Sequence, residues 1–101
     1  MQIYHIVLPE TWEAVRGNTF YEAASLADEG FIHCSYADQL EEVIERYYKD
    51  AGGIVVLSID TDKLTSTLVS EPSTGGEPYP HIYGPINNDA IVGVEKRSVR
   101  N

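Results

Sequence analysis

Three histidines stand in aromatic company, in Tyr4-His5, Phe31-Ile32-His33 and Tyr79-Pro80-His81-Ile82-Tyr83. Imidazole exchanges its proton near neutral pH, so histidines brought together suit acid–base chemistry, polar anchoring of a ligand or metal binding. Taken singly, each has equal standing as a hydrogen-bonded core residue; three of three in aromatic settings shift the balance toward one shared polar pocket. Glu71 and Glu77 flank the Gly75-Gly76 pair. A carboxylate beside an imidazole can orient the ring or stabilise a developing positive charge. The rival reading for either glutamate is a solvated loop acid, and Glu71 is preferred because it closes a strand that would fix its direction. Three histidines can also hold zinc, but positions 5, 33 and 81 match no local ligand motif. His33 and Cys34 are neighbours on a strand and point to opposite faces, so they do not form a nucleophilic pair, and Cys34 is assigned to the core. Gly75-Gly76 opens no helix and is not a phosphate-binding loop.

The elements that must position these residues follow from hydrophobic periodicity. Ile3 to Leu8 is β-branched and aromatic on both faces and reads as a doubly buried strand, with His5 on the face of Ile3 and Val7. Pro9 opens a short helix carrying Trp12 and Val15, ended by Gly17. An extended piece at Thr19 to Tyr21 precedes a single turn at Ser25 to Asp28, closed by Gly30. Phe31 to Cys34 is a second strand. Ser35 and Asp38 have capping-box spacing, and Leu40, Val43, Ile44, Tyr47 and Tyr48 follow at helical intervals, predicting one long amphipathic helix up to Gly52-Gly53. Further strands are expected at Ile54 to Ile59, Thr67 to Glu71 and Asp89 to Lys96 or slightly beyond, with a helical turn at Thr61 to Leu64. Between Glu71 and Asn88 lie four of the chain's five prolines, and this stretch is expected to be an ordered loop folded over the site. Strands and helices mix without βαβ alternation, which predicts a single α+β domain over residues 1–101.

Composition narrows the partners. The chain has 101 residues and 43% hydrophobic content, enough for one core. One cysteine precludes an internal disulfide and suits a reducing compartment, and no secretory leader is evident, so the cytoplasm is the expected location. The net charge is −9, with Lys96, Arg97 and Arg100 crowded into the last six positions. Such a surface disfavours nucleic acid and anionic membranes as partners and leaves a small-molecule ligand. Nothing in the sequence fixes the oligomeric state.

IYHI near the start, SLADEGFIHCS in the middle and EPYPHIYGP late together resemble a bacterial family catalogued as domain of unknown function family 952, over nearly the whole chain. The family name carries no activity. The resemblance implies a more distant relation to the ADP-ribosyltransferase-like superfamily, and with it a split, mostly antiparallel sheet around a nicotinamide-nucleotide cleft. On that likeness His5 would contact a ribose hydroxyl and the nicotinamide amide, and FIHCS would bring His33 and Ser35 to the site. Tyr79 or Tyr83 would stack on the base, with His81 beside them, and Glu71 or Glu77 would support an oxocarbenium-like transition state. Neither glutamate stands in a Gln-x-Glu or Glu-x-Glu motif, and Arg16 is the only arginine in the first 45 residues, which disfavours the RNA 2′-phosphotransferase branch. The expected functions are an enzyme acting at the ribose of NAD or a related nucleotide, a non-catalytic ligand- or partner-binding module on the same fold, and, third, a three-histidine metal site.

Overall fold

The computed structural model describes residues 1–99, and among these, eight strands pair antiparallel in three small sheets, with three short α-helices and two 3-10 turns between them. Strand β1 (Gln2–Val7) runs into helix α1 (Pro9–Val15), where proline's fixed φ suits the first turn and Trp12 is buried. Strand β2 (Phe20–Tyr21), helix α2 (Ala24–Glu29) and strand β3 (Ile32–His33) follow, α2 being closed by Gly30 at φ 90°. Helix α3 (Leu40–Tyr47) leads to strand β4 (Gly53–Asp60), then β5 (Thr67–Pro72), β6 (Pro78–Tyr83), β7 (Ile86–Asn87) and β8 (Ile91–Ser98). The sheets are ordered β1-β4-β8, β2-β7 and β3-β6-β5. A radius of gyration of 12.8 Å matches the ~13 Å expected of a packed chain this long.

The near-continuous apolar run of β4 has its cause in the middle position of that strand. Val55, Leu57 and Ile59 face one core with Ile3, Val7, Trp12, Tyr21, Ile32 and Ile82, while Ile54 and Val56 face a second with Ile6, Leu40 and Ile44. One strand thus divides two hydrophobic layers. Sheet β3-β6-β5 closes the first layer with Ile32, Leu68 and Ile82 and turns its polar face outward.

Two expectations are corrected. The long helix is eight residues. Ser35 does not cap it, because its backbone N–H and C=O both bond Tyr4 in a bridge that ties β3's end to β1. Tyr36 to Gln39 form a turn instead, in which the Gln39 side-chain oxygen accepts from the Tyr36 N–H at 3.0 Å. The proline-rich stretch is not a loop over the site: it contains β6 and β7, and β6 is the middle strand of its sheet. Pro78 and Pro80 alternate with Tyr79, His81 and Tyr83, so their missing N–H groups turn away from β5, and the β5–β6 ladder is preserved. On the other side, the Pro80 carbonyl accepts from the Cys34 N–H (3.1 Å) and the Pro78 carbonyl from the Gln39 amide (2.8 Å). In the basic C-terminal cluster, Arg97 bridges Glu41 and Glu95; Arg100 lies outside the described residues.

Candidate functional site

A cavity of about 570 Å³ lies where β1, β3 and β6 approach, and its walls include His5, His33, Ser35, Tyr79 and His81. The register produces this convergence: His33 is opposite His81 across β3–β6, and the Tyr4–Ser35 bridge brings β1 alongside. Tyr4, Tyr21, Tyr47, Tyr48 and Tyr79, five of the chain's seven tyrosines, also line it. Among the described residues, no lysine or arginine does.

The three imidazoles have different chemistry. His5 is buried, and Nδ1 donates to the His33 carbonyl at 2.7 Å, which fixes the proton on that nitrogen because a carbonyl only accepts. Nε2 then accepts from the Tyr21 hydroxyl at 2.8 Å. Desolvation lowers the His5 pKa to about 4, so the ring is neutral at physiological pH. Burial likewise pushes the Tyr21 hydroxyl and the Cys34 thiol upward.

His81 is buried on the outward face of β6, where its Nδ1 donates to Glu71 Oε1 at 2.8 Å. Phe31 stacks on it, centroids 4.2 Å apart at 21°, and His33 meets its edge at 5.5 Å. Nε2 of His81 is buried with no hydrogen-bond partner among the described residues. Glu71 also accepts from the Tyr83 hydroxyl at 2.5 Å, and that bond, then His81, holds its carboxyl below the usual range. The same contact raises the Tyr83 pKa. Glu71 and Tyr83 therefore stand behind His81 and outside the cavity wall. His33 is exposed and bonds Glu29 at 3.0 Å. Glu77 accepts from the Gln39 amide at 3.0 Å and is also outside the wall.

Of the eight residues singled out in the sequence, five line one cavity and two, Glu71 and Tyr83, support it from behind. Glu77 belongs to the Gln39 turn. The imidazoles do not converge as ligands: His5 has both nitrogens engaged, and the described residues contain no group of three histidine, cysteine or acidic side chains placed to hold a metal ion. Sequence reasoning missed Tyr21, which sits in a two-residue strand and is recognisable only through its bond to His5. It also missed Gln39, hidden inside an apparent helical run, and Phe31, whose stacking depends on a cross-strand register.

Short antiparallel sheets arranged so that strand residues wall a histidine–tyrosine cavity define the class: a small α+β domain with a strand-built pocket. The chain belongs to the family described as "Protein of unknown function (DUF952)", which matches residues 6–94. It is similar to protein CC0527 from Caulobacter crescentus. The X-ray structure of that protein is 27% identical, with a TM-score of 0.84 over 95% of this chain and 85% of that one. Its solution NMR structure is 26% identical, with a TM-score of 0.77 over 96% and 83% of the two chains. No curated protein matches the sequence. No helix among the described residues is long and apolar enough to cross a membrane.

Proposed function

We propose that this protein is a cytoplasmic small-molecule-binding domain whose histidine–tyrosine cavity takes a nucleoside-sized ligand, on a fold distantly related to the ADP-ribosyltransferase-like superfamily. The observation that carries this is the cavity of about 570 Å³ itself, in which five tyrosines and the three histidines form much of one wall. Ligand pockets run from about 300 to 1,000 Å³ and combine aromatic walls with a few placed polar groups. Tyrosine supplies flat apolar area with a polar end, which suits a planar ligand. The absence of cationic wall residues among those described, together with a net charge of −9, speaks against nucleic acid and anionic membranes as partners.

The second reading is an enzyme acting at ribose C1′ of NAD or a related nucleotide, and the Glu71–His81 pair favours it. An imidazole oriented by a carboxylate can take a proton from water as the water oxygen bonds C1′. The C1′–N bond then breaks, and nicotinamide leaves with the bonding electron pair. Against this stand the positions of Glu71 and Glu77, neither of which reaches the wall to stabilise positive charge at C1′.

Two measurements test the readings. In a thermal-shift series of nucleosides, nucleotides and NAD, at least one compound raises the melting temperature by mass action, and Tyr79→Ala diminishes the shift. A flat series removes the support for a ligand site. Incubation with NAD, followed by chromatography of nicotinamide, decides turnover: release that disappears in Glu71→Gln and His81→Asn establishes the enzyme, and none above buffer leaves a binding protein.

A further inference from the structure

We infer that the free edge of β1 inside the cavity pairs with one residue of a short extended peptide, antiparallel, whose apolar or aromatic side chain is turned toward α3. This rests on the cavity being a ligand site and goes further by naming the ligand's chemistry, a peptide backbone.

Tyr4, His5, Ile6, Val7 and Leu8 all line the cavity. Successive side chains of a strand point to opposite faces, so five residues in a row reach one space only where the backbone edge of the strand faces it. The pairing identifies the groups on that edge. β1 runs in unbroken antiparallel register with β4 from Gln2 to Val7, and the Met1 carbonyl accepts from the Thr61 N–H on the β4 side. Ladder bonds fall on alternate residues, so Ile3, His5 and Val7 turn their N–H and C=O groups to β4, while Tyr4, Ile6 and Leu8 turn theirs away. Tyr4 is satisfied by Ser35, whose N–H donates at 2.8 Å and whose carbonyl accepts at 2.9 Å. The Leu8 carbonyl accepts from the Trp12 N–H. Ile6 is buried, yet among the described residues neither its N–H nor its C=O has a hydrogen-bond partner.

The register of the Tyr4–Ser35 bridge, carried on, would set His33 against Ile6. The His33 carbonyl instead accepts from the His5 ring at 2.7 Å, and β3 pairs with β6 on its other side. β1 and β3 thus part beyond the bridge, and residues of both, Tyr4 to Leu8 and His33 to Ser35, line the cavity between them. Buried backbone groups are nearly always paired, and an unpaired strand edge is a template for another strand. An antiparallel residue opposite Ile6 supplies both missing partners: its carbonyl accepts from the Ile6 N–H and its N–H donates to the Ile6 carbonyl. Directly opposed side chains share a face, and Ile6 packs in the layer of Val43 and Tyr48. The incoming side chain therefore meets Val43, Tyr47 and Tyr48 of the cavity wall. Main-chain bonds then give affinity and this wall gives selectivity.

Calorimetric titration of the full chain at pH 7 with acetyl-Ala-Phe-Ala-amide tests the assignment. A methyl group on the Phe nitrogen removes the donor to the Ile6 carbonyl, whereas one on the last Ala nitrogen, which points away from β1, spares it. Gly in place of Phe removes the side chain. The expected result is that the parent peptide binds, that the first methylation and the Gly exchange each weaken it at least about tenfold, and that the second methylation costs much less. In an isotope-labelled chain, saturating peptide should slow deuterium exchange at the Ile6 amide at least about tenfold more than at His5 and Val7, which β4 already holds. All alterations are in the peptide, so none depends on the folding of a variant. Equal losses from the two methylations, or binding that protects Ile6 no more than its neighbours, overturn the strand pairing. Binding of adenosine or nicotinamide but not of the peptide overturns the peptide assignment and leaves the cavity reading intact. No binding by any of them overturns both.

Discussion

His5 and His81 are both buried imidazoles whose Nδ1 donates to an oxygen, but one oxygen belongs to a neutral carbonyl and the other to a carboxylate. This difference makes His5 the acid-sensitive position. Its folded pKa, about 4, lies below the ordinary 6.5, so between those values the unfolded chain binds the extra proton. The stability contributed by keeping His5 neutral is complete above pH 6.5, falls as pH drops through the window, and is gone below about 4, a loss of roughly 3 kcal/mol. Glu71, whose carboxyl is lowered, adds its own loss only below the ordinary carboxylate range, so the decline between pH 6.5 and 5 belongs to His5. Urea midpoints measured across this range should fall for the native chain and change much less for His5→Gln. An equal slope in both would remove His5 from the account. Tyr21→Phe should cost about 1–3 kcal/mol at pH 7, because it leaves His5 Nε2 buried without its donor; an unchanged midpoint would mean that the ring has found another partner. The three histidines and their aromatic neighbours were visible in the sequence, but which nitrogen is engaged was not, since the carbonyl and hydroxyl partners of His5 come from strands 28 and 16 positions away, respectively.

At the scale of elements, the turn between β6 and β7 tests how tightly the site's sheet is held. Gly84 has φ +146°, and a Cβ there would approach Ser66 Oγ to 2.5 Å, while that hydroxyl donates to the Pro85 carbonyl. Gly84→Ala should therefore destabilise by about 1–3 kcal/mol. Gly17→Ala, where nothing lies within 4 Å of the added carbon, should be neutral or stabilise by up to about 1 kcal/mol through the unfolded chain. Chemical denaturation of the pair decides the matter, and similar midpoints would show that the turn adjusts freely. Strands β1 and β4 were legible because apolar residues on both faces have one simple cause. β6 was not, because prolines at alternate positions resemble a loop unless the side facing the partner strand is known. The excess length given to α3 has a related origin: the Ser35–Asp38 spacing satisfies a helix cap, but pairing with β1 claims the Ser35 backbone first.

For the molecule as a whole, the surplus of acid over base acts across dimensions of only 36 × 34 × 27 Å. At about 0.01 M salt the Debye length is about 30 Å and like charges repel through most of the protein; at about 0.15 M it is about 8 Å. Self-repulsion opposes the folded state, so the melting temperature should rise by about 2–6 °C between these conditions, the shift expected from somewhat under 1 kcal/mol. A fall on adding salt would mean that the few surface pairs, such as Arg97 with Glu41 and Glu95, outweigh the repulsion. The α+β class and the family were legible from composition and motifs. The division into three sheets was not, because it depends on pairings between distant segments that no local pattern encodes.

The Cys34 side chain has a practical consequence. It is buried, its thiol is held protonated by that burial, and it sits both in the core and at the cavity wall. A thiolate-specific dye can modify it only in molecules that have transiently opened. The rate of colour development in native buffer is then a clock for opening, and a compound lodged beside β3 should slow that clock in proportion to its occupancy.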